Sequence, residues 1–131
     1  RDPTAWLSIL ATIRFLGSLL PGRFDGIRRR NRTLALKAQE LLCQTLEIDR
    51  PCPETMVGFM AAVPPPLTGE LTASVLEPDP LKIKLAEEYG IEVPIFPLHE
   101  PPRRLLRISA YLYNRLEDYE VLAQALQQEL L

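Results

Sequence analysis

The 131-residue sequence predicts an α+β fold: a three-stranded, mainly antiparallel sheet covered by helices. Three observations point there. Long stretches repeat apolar residues at helical spacing, shorter ones run apolar or alternate with period two, and proline and glycine mark the joints. The resulting order is α-α-β-α-β-β-α. With 47% hydrophobic residues, residues 1–131 suffice for one core and are too few for two comfortable ones.

Asp2 before Pro3 reads as a helix cap with proline in the first turn. Trp6, Ile9, Leu10, Ile13, Leu16 and Leu20 then recur on one helical face, and Pro21-Gly22 stops that helix. A second helix starts near Asp25 with an apolar face through Ile27, Leu34, Ala38, Leu42 and Leu46, and DRPCPE, residues 49–54, ends it. MVGFMAAV, Met56 to Val63, suits a buried strand weakened by Gly58. PPPLTG cannot continue a ladder, because proline supplies no N–H. Asp79-Pro80 opens a third helix carrying Leu81, Leu85 and Tyr89, and Gly90 stands at its C-terminal cap. IEVPIFPL, Ile91 to Leu98, is extended but holds two prolines, so it belongs at a sheet edge. HEPP, residues 99–102, is a turn.

In the next strand Leu106, Ile108 and Ala110 alternate with Leu105, Arg107, Ser109 and Tyr111. Asn114 with Glu117 three positions on resembles a capping box. Leu116, Tyr119, Ala123, Leu126 and Leu130 form the stripe of the last helix. The β-α-β-β portion has a natural solution. The crossover makes the first two strands parallel but separated, and the third inserts antiparallel between them, a split β-α-β sheet. Arg107 therefore falls on the central strand.

Net charge is −2 and the pI near 5.5, which argues against a nucleic-acid or membrane-surface protein. Residues 1–50 carry nine of the fifteen Lys/Arg, and residues 51–131 carry twelve of the seventeen Asp/Glu. The densest basic run, Arg28, Arg29, Arg30 and Arg32, spreads around a helix as a solvated start, without making a phosphate track. Cys43 and Cys52 lack metal-site or disulfide-framework spacing and fit a reducing, cytoplasmic setting. His99 is the single histidine, which gives no support to a histidine metal centre or a Ser–His pair. No signal peptide is visible, and no apolar run approaches the ~18 to 20 residues of a membrane span.

A cation within an apolar strand is costly unless it reaches water or an anion. The guanidinium fork of Arg107 matches a carboxylate with two parallel hydrogen bonds. Spacing leaves two partners open: a ligand, or an internal carboxylate such as Glu92 or Asp118. A ligand-facing Arg107 fits a free-standing split β-α-β module that binds a small anionic effector or a protein partner.

LLRISAYLYNRLEDYEVLAQAL, residues 105–126, resembles the C-terminal end of the class V, pyridoxal-phosphate-dependent aminotransferase family, with its arginine, hydrophobic residue and serine followed by Tyr-Asn and an acidic first helical turn. RDPTAWLSILATIRFL, RNRTLALKAQELL and YGIEVPI are similar to earlier pieces of the same region, most closely in the isopenicillin N epimerase-like branch. The resemblance implies the small domain of a fold-type-I enzyme. Residues 1–20 would be an interdomain-type helix and residues 21–131 an α/β sandwich. The large cofactor domain would lie before Arg1, and the chain, which lacks an initiator methionine, is expected to be an excised or proteolysed domain.

By position, the family's substrate-carboxylate arginine falls on Arg107, with Ser109 and Asn114 in supporting roles. The Schiff-base lysine has no match: Lys37, Lys82 and Lys84 occupy charged helical settings. No catalytic or cofactor-binding residue is therefore expected in this chain, and alone it should be inactive. Pyridoxal phosphate would be bound by the full-length enzyme, an expected homodimer acting on an amino acid by epimerase, aminotransferase or lyase chemistry. Cysteine desulfurases carry a catalytic cysteine before the arginine strand. Residues 94–102, PIFPLHEPP, have none, which points away from desulfuration. With its large-domain partner missing, the first helix should expose an apolar patch along Trp6, Ile13 and Leu16, or a dimer should hide it.

Overall fold

The computed structural model describes residues 2–69, 77–99 and 102–131, without the side chain of His99. Asp2 accepts the Thr4 N–H at 2.9 Å and opens α1 (Thr4–Leu7), which meets α2 (Ile9–Ser18) at Ser8. One continuous helix was expected. The joint keeps helical angles, φ −77° and ψ −15°, while the Ser8 hydroxyl donates to the Ala5 carbonyl, a local bond that competes with the helical ladder. Neither piece buries a residue. Trp6 is 77% exposed and Ile13 48%, as expected, whereas Leu16 is half-buried.

Gly22, at φ +79°, leads into α3 (Arg23–Thr45), which begins two residues earlier than the Asp25 start read from the sequence. The corner is tight. A Cβ on Gly26 would lie 2.2 Å from the Pro21 carbonyl oxygen, so only glycine fits. At the far end Glu47 takes the left-handed conformation, φ +54°. Its N–H bonds the Gln44 carbonyl and the Ile48 N–H bonds the Cys43 carbonyl, the paired reverse bonds that close a helix. A short 3-10 turn (Glu54–Met56) precedes β1 (Met60–Val63).

The crossover helix α4 (Pro80–Tyr89) has the expected ends: the Asp79 carboxylate accepts the Leu81 N–H, and Gly90 adopts φ +66°. β2 (Ile95–His99) and β3 (Pro102–Ser109) follow; Glu100 and Pro101 of the predicted turn lie outside the described residues. The sheet order is β1-β3-β2 with both pairings antiparallel. The proline-bearing strand is therefore an edge and β3 is central, as the split β-α-β reading requires.

The chain ends in α5 (Leu116–Leu130), whose cap differs from the Asn114–Glu117 box. The Asn114 side chain is already engaged, accepting the Tyr111 N–H at 3.0 Å. Asp118 instead accepts the Arg115 N–H at 2.9 Å, so the helix starts one residue later.

Among the described residues, the core packs on one face of the sheet. Val63, Leu106 and Ile108 point into a core closed by Ala38 and Leu42 of α3 and Leu126 of α5. Their neighbours Met60, Ala62, Leu105, Arg107 and Ser109 point the other way and are half-buried or exposed, as period-two alternation requires. The fully buried Gln39 steadies the free edge of β1 by donating to the Ala62 carbonyl at 2.9 Å. Its Oε1 has no partner, and the next outward-facing position on that edge is Pro64, which has no N–H to offer.

The basic run of α3 does more than face solvent. Arg30 donates to the carbonyls of Tyr111 (2.9 Å) and Asn114 (3.0 Å), fixing the turn after β3. Arg32 donates to those of Val57 and Glu54. Arg28 pairs with Asp25 on the surface.

Candidate functional site

β3 carries two arginines of opposite fate. Arg104 shares the parity of Leu106 and Ile108 and is 3% exposed. Its Nε donates to Asp79 Oδ2 at 2.8 Å and its Nη1 to the Thr68 carbonyl at 2.7 Å. Asp79 Oδ1 meanwhile caps α4 through the Leu81 N–H. One buried carboxylate thus ties the central strand to the start of the crossover helix, with its charge paired and each oxygen accepting a hydrogen bond.

Arg107 has the other parity. On the open face it needs no route to water, although its strand is central. Its guanidinium stands 5.6 Å from the centroid of the Phe96 ring, a cation–π contact that steadies it. It forms no side-chain ion pair or hydrogen bond among the described residues. Glu92 and Asp118, the internal partners considered from the sequence, do not pair with it: Asp118 is occupied with the Arg115 N–H and Glu92 faces solvent.

Two clefts meet at Arg107. One, of about 330 Å³, lies between residues 91–94 and the start of α5 and is lined by Glu92, Ser109, Tyr113, Asn114 and Asp118 among others. The second, of about 410 Å³, runs over the sheet face and is lined mainly by Met56, Met60, Ala62, Phe96 and Leu105. The first is mixed, with polar and acidic groups beside Ile91, Val93 and Leu122, and the second is mainly apolar. Together they let one unpartnered guanidinium receive an anion from solvent.

Ser109 and Asn114 have distinct surroundings. The Ser109 side chain is exposed in the polar cleft, and its carbonyl accepts the Tyr119 hydroxyl at 2.8 Å. Burial pushes that hydroxyl's pKa up, so it stays protonated as a donor. Asn114 also lines the polar cleft, but its amide oxygen closes the Tyr111 turn and its carbonyl is held by Arg30. Its support for the cleft is therefore architectural.

Other chemistry finds little here. Cys43 is buried and its thiol is pushed up mainly by desolvation, which disfavours the reactive thiolate. Cys52 is half-buried at the apolar cleft. Among the described residues no three His, Cys, Asp or Glu side chains form a metal-binding group, and no single helix is long and apolar enough to cross a membrane. Lys37 and Lys82 are exposed. Lys84 pairs with Glu129, whose hydrogen bond holds its ammonium above the usual range, the reverse of what a Schiff-base lysine needs.

Sequence reasoning missed the Arg104–Asp79 pair. A signal existed, because Arg104 sits two residues before Leu106 and inherits its buried parity. The partner Asp79 had already been assigned as a cap.

No family model matches the chain. Over 98% of its length the chain is 32% identical to the isopenicillin N epimerase of Amycolatopsis lactamdurans, and over 96% it is 35% identical to that of Streptomyces clavuligerus. It is also 29% identical over 96% of its length to a probable chloroplastic L-cysteine desulfhydrase of Arabidopsis thaliana. The chain spans only 27–30% of the length of these relatives. Their names differ and select no single branch.

Proposed function

We propose that this chain is the C-terminal small domain of a pyridoxal-phosphate-dependent enzyme of the class V aminotransferase family, and that Arg107 holds the carboxylate of its amino-acid substrate. The observation that carries the role is the guanidinium on the open face of the central strand, unpaired among the described residues, at the meeting point of two clefts. The similarity along nearly all of this chain to isopenicillin N epimerases and a probable cysteine desulfhydrase supports the family, and the higher identities to the two epimerases are the reason an epimerase-like branch is proposed. The small share of those relatives that the chain spans fits a domain of a larger protein.

The residues of this chain do not fit the cofactor itself. None of Lys37, Lys82 and Lys84 has a desolvated setting that would lower its pKa, so pyridoxal phosphate is proposed for the remainder of the enzyme. What this chain supplies is binding and orientation. Arg107 offers two parallel N–H bonds that fix the tilt of a carboxylate as well as its position, and a fixed tilt lowers the barrier by presenting one conformer for reaction. Ser109 offers a hydroxyl beside it, and Arg30 holds the turn that carries Asn114.

Arg107→Lys in the whole enzyme tests this. The substitution keeps the charge and the stem but loses the second bond, a difference on the order of 1.5–3 kcal/mol. The expected result is a loss of roughly ten- to a hundredfold in kcat/KM for the amino acid with unchanged thermal unfolding. Unchanged kinetics would remove Arg107 from the site.

A further inference from the structure

We propose that the apolar cleft beside Arg107 receives the side chain of the substrate, which is therefore an amino acid with an uncharged apolar or thioether side chain. The proposal rests on the reading of Arg107 as the carboxylate-binding residue and extends it to substrate class. Ala62 lies directly across the β1–β3 pairing from Arg107, and Phe96 pairs with Leu105 across β2–β3. The floor next to the guanidinium is thus built from one small residue between larger apolar ones, with room above Ala62. Arg107 is the single charged residue that lines this cleft among the described residues. A charged tail placed there would be desolvated without a counterion, apart from the arginine already occupied by the carboxylate.

The polar cleft on the other side of Arg107 disfavours an acidic tail. Glu92 and Asp118 line it and would repel a second carboxylate. The apolar flank therefore suits the side chain, toward Met60 and Leu105, and leaves the amino group to the remainder of the enzyme, where the cofactor is proposed. Met56 and Met60, with their adaptable thioethers, suit side chains of varied shape. The contact with Phe96 holds the guanidinium between the two flanks.

The test is an NMR titration of the ¹⁵N-labelled chain with acetate, 3-phenylpropionate and the neutral 3-phenylpropionamide. The expected result is that 3-phenylpropionate binds at least about tenfold more tightly than acetate, the gain from burying most of one apolar group. It should shift the amides of Met60, Ala62, Phe96 and Leu105, while the amide analogue binds more weakly. Ala62→Trp, which fills the cleft, and Leu105→Asn, which makes its wall polar, should each remove the advantage over acetate and leave acetate binding intact. Equal affinity for the two acids, both lost in Arg107→Ala, would overturn the apolar subsite and leave the carboxylate reading standing. Amide binding as tight as the acid and indifferent to Arg107→Ala would mark a face covered by protein, and would overturn the proposal. Absence of any response to the acids around Arg107 would overturn the apolar subsite, while the kinetics of Arg107→Lys in the whole enzyme decide the carboxylate reading separately.

Discussion

Arg104 and Arg107 stand three residues apart on one strand, and they face opposite sides of the sheet. On the covered side, Arg104 is enclosed with Asp79 and the Thr68 carbonyl, and every charge has a partner. On the open side, Arg107 has a ring beside it and solvent above it. Residue type is the same in both places; parity on the strand and the placement of the helices separate a structural cation from an available one. A free guanidinium on an uncovered sheet face can bind something, whereas a paired one in the core can only hold the fold.

The sharpest way to break this comparison is to truncate both arginines. Arg104→Ala leaves the Asp79 carboxylate buried and unpaired, and should lower stability by roughly 3–5 kcal/mol. Arg107→Ala removes only an exposed cation–π contact and should cost under about 1 kcal/mol. Denaturant melts of the two variants decide it, and equal losses would mean that Arg107 is structural too.

The apolar neighbours extend the contrast. Leu106 is fully buried and Leu105 half-buried on the opposite face. Leu106→Ala should cost about 2–5 kcal/mol with its cavity, and Leu105→Ala clearly less. Similar urea midpoints for the pair would show that the open face is covered in solution.

Between the two faces lies the Tyr111–Asn114 turn. Asn114→Ala removes the acceptor for the Tyr111 N–H and should cost about 1 kcal/mol. Amide exchange at Tyr111 should quicken, while the protection of β1 and α4 stays as it was.

The smallest effect is at the α4–α5 surface. Hydrogen bonds, first from Lys84 and then from Tyr89, hold the Glu129 carboxyl below its usual pKa. A depressed folded-state pKa gives stability that is present above the ordinary carboxylate value and is lost as pH falls through the folded one. Glu129→Gln should therefore flatten the acid limb of a plot of urea midpoint against pH. Lys84, whose ammonium is held above its usual range, acts in the opposite direction. Its contribution is complete below the ordinary ammonium pKa and fades as pH rises through the raised one.

Several elements were legible because their causes are local. Asp79-Pro80 and Gly90 delimit α4 through bonds that reach only a few residues. The prolines of IEVPIFPL exclude a central position because each lacks a donor. The order of the strands then followed from a crossover that leaves two parallel strands apart and from the need to fill the gap between them. Even the cap of α5 was missed by only one residue, when the Asn114 side chain went to Tyr111 instead.

What escaped was decided between distant segments. Arg30 reaches carbonyls more than eighty positions away, which turned part of an apparently solvated basic run into a clamp. Asp79 serves both a local cap and Arg104, twenty-five residues on, and only the first of these has a sequence signature. The sequence by itself determined the elements, their order, and the alternation that sets Arg104 and Arg107 on opposite faces, because backbone geometry fixes each of these locally. Only the tertiary structure decided which face the helices cover. That choice comes from the summed burial of many side chains from separate segments, and it left Arg104 paired in the core and Arg107 free.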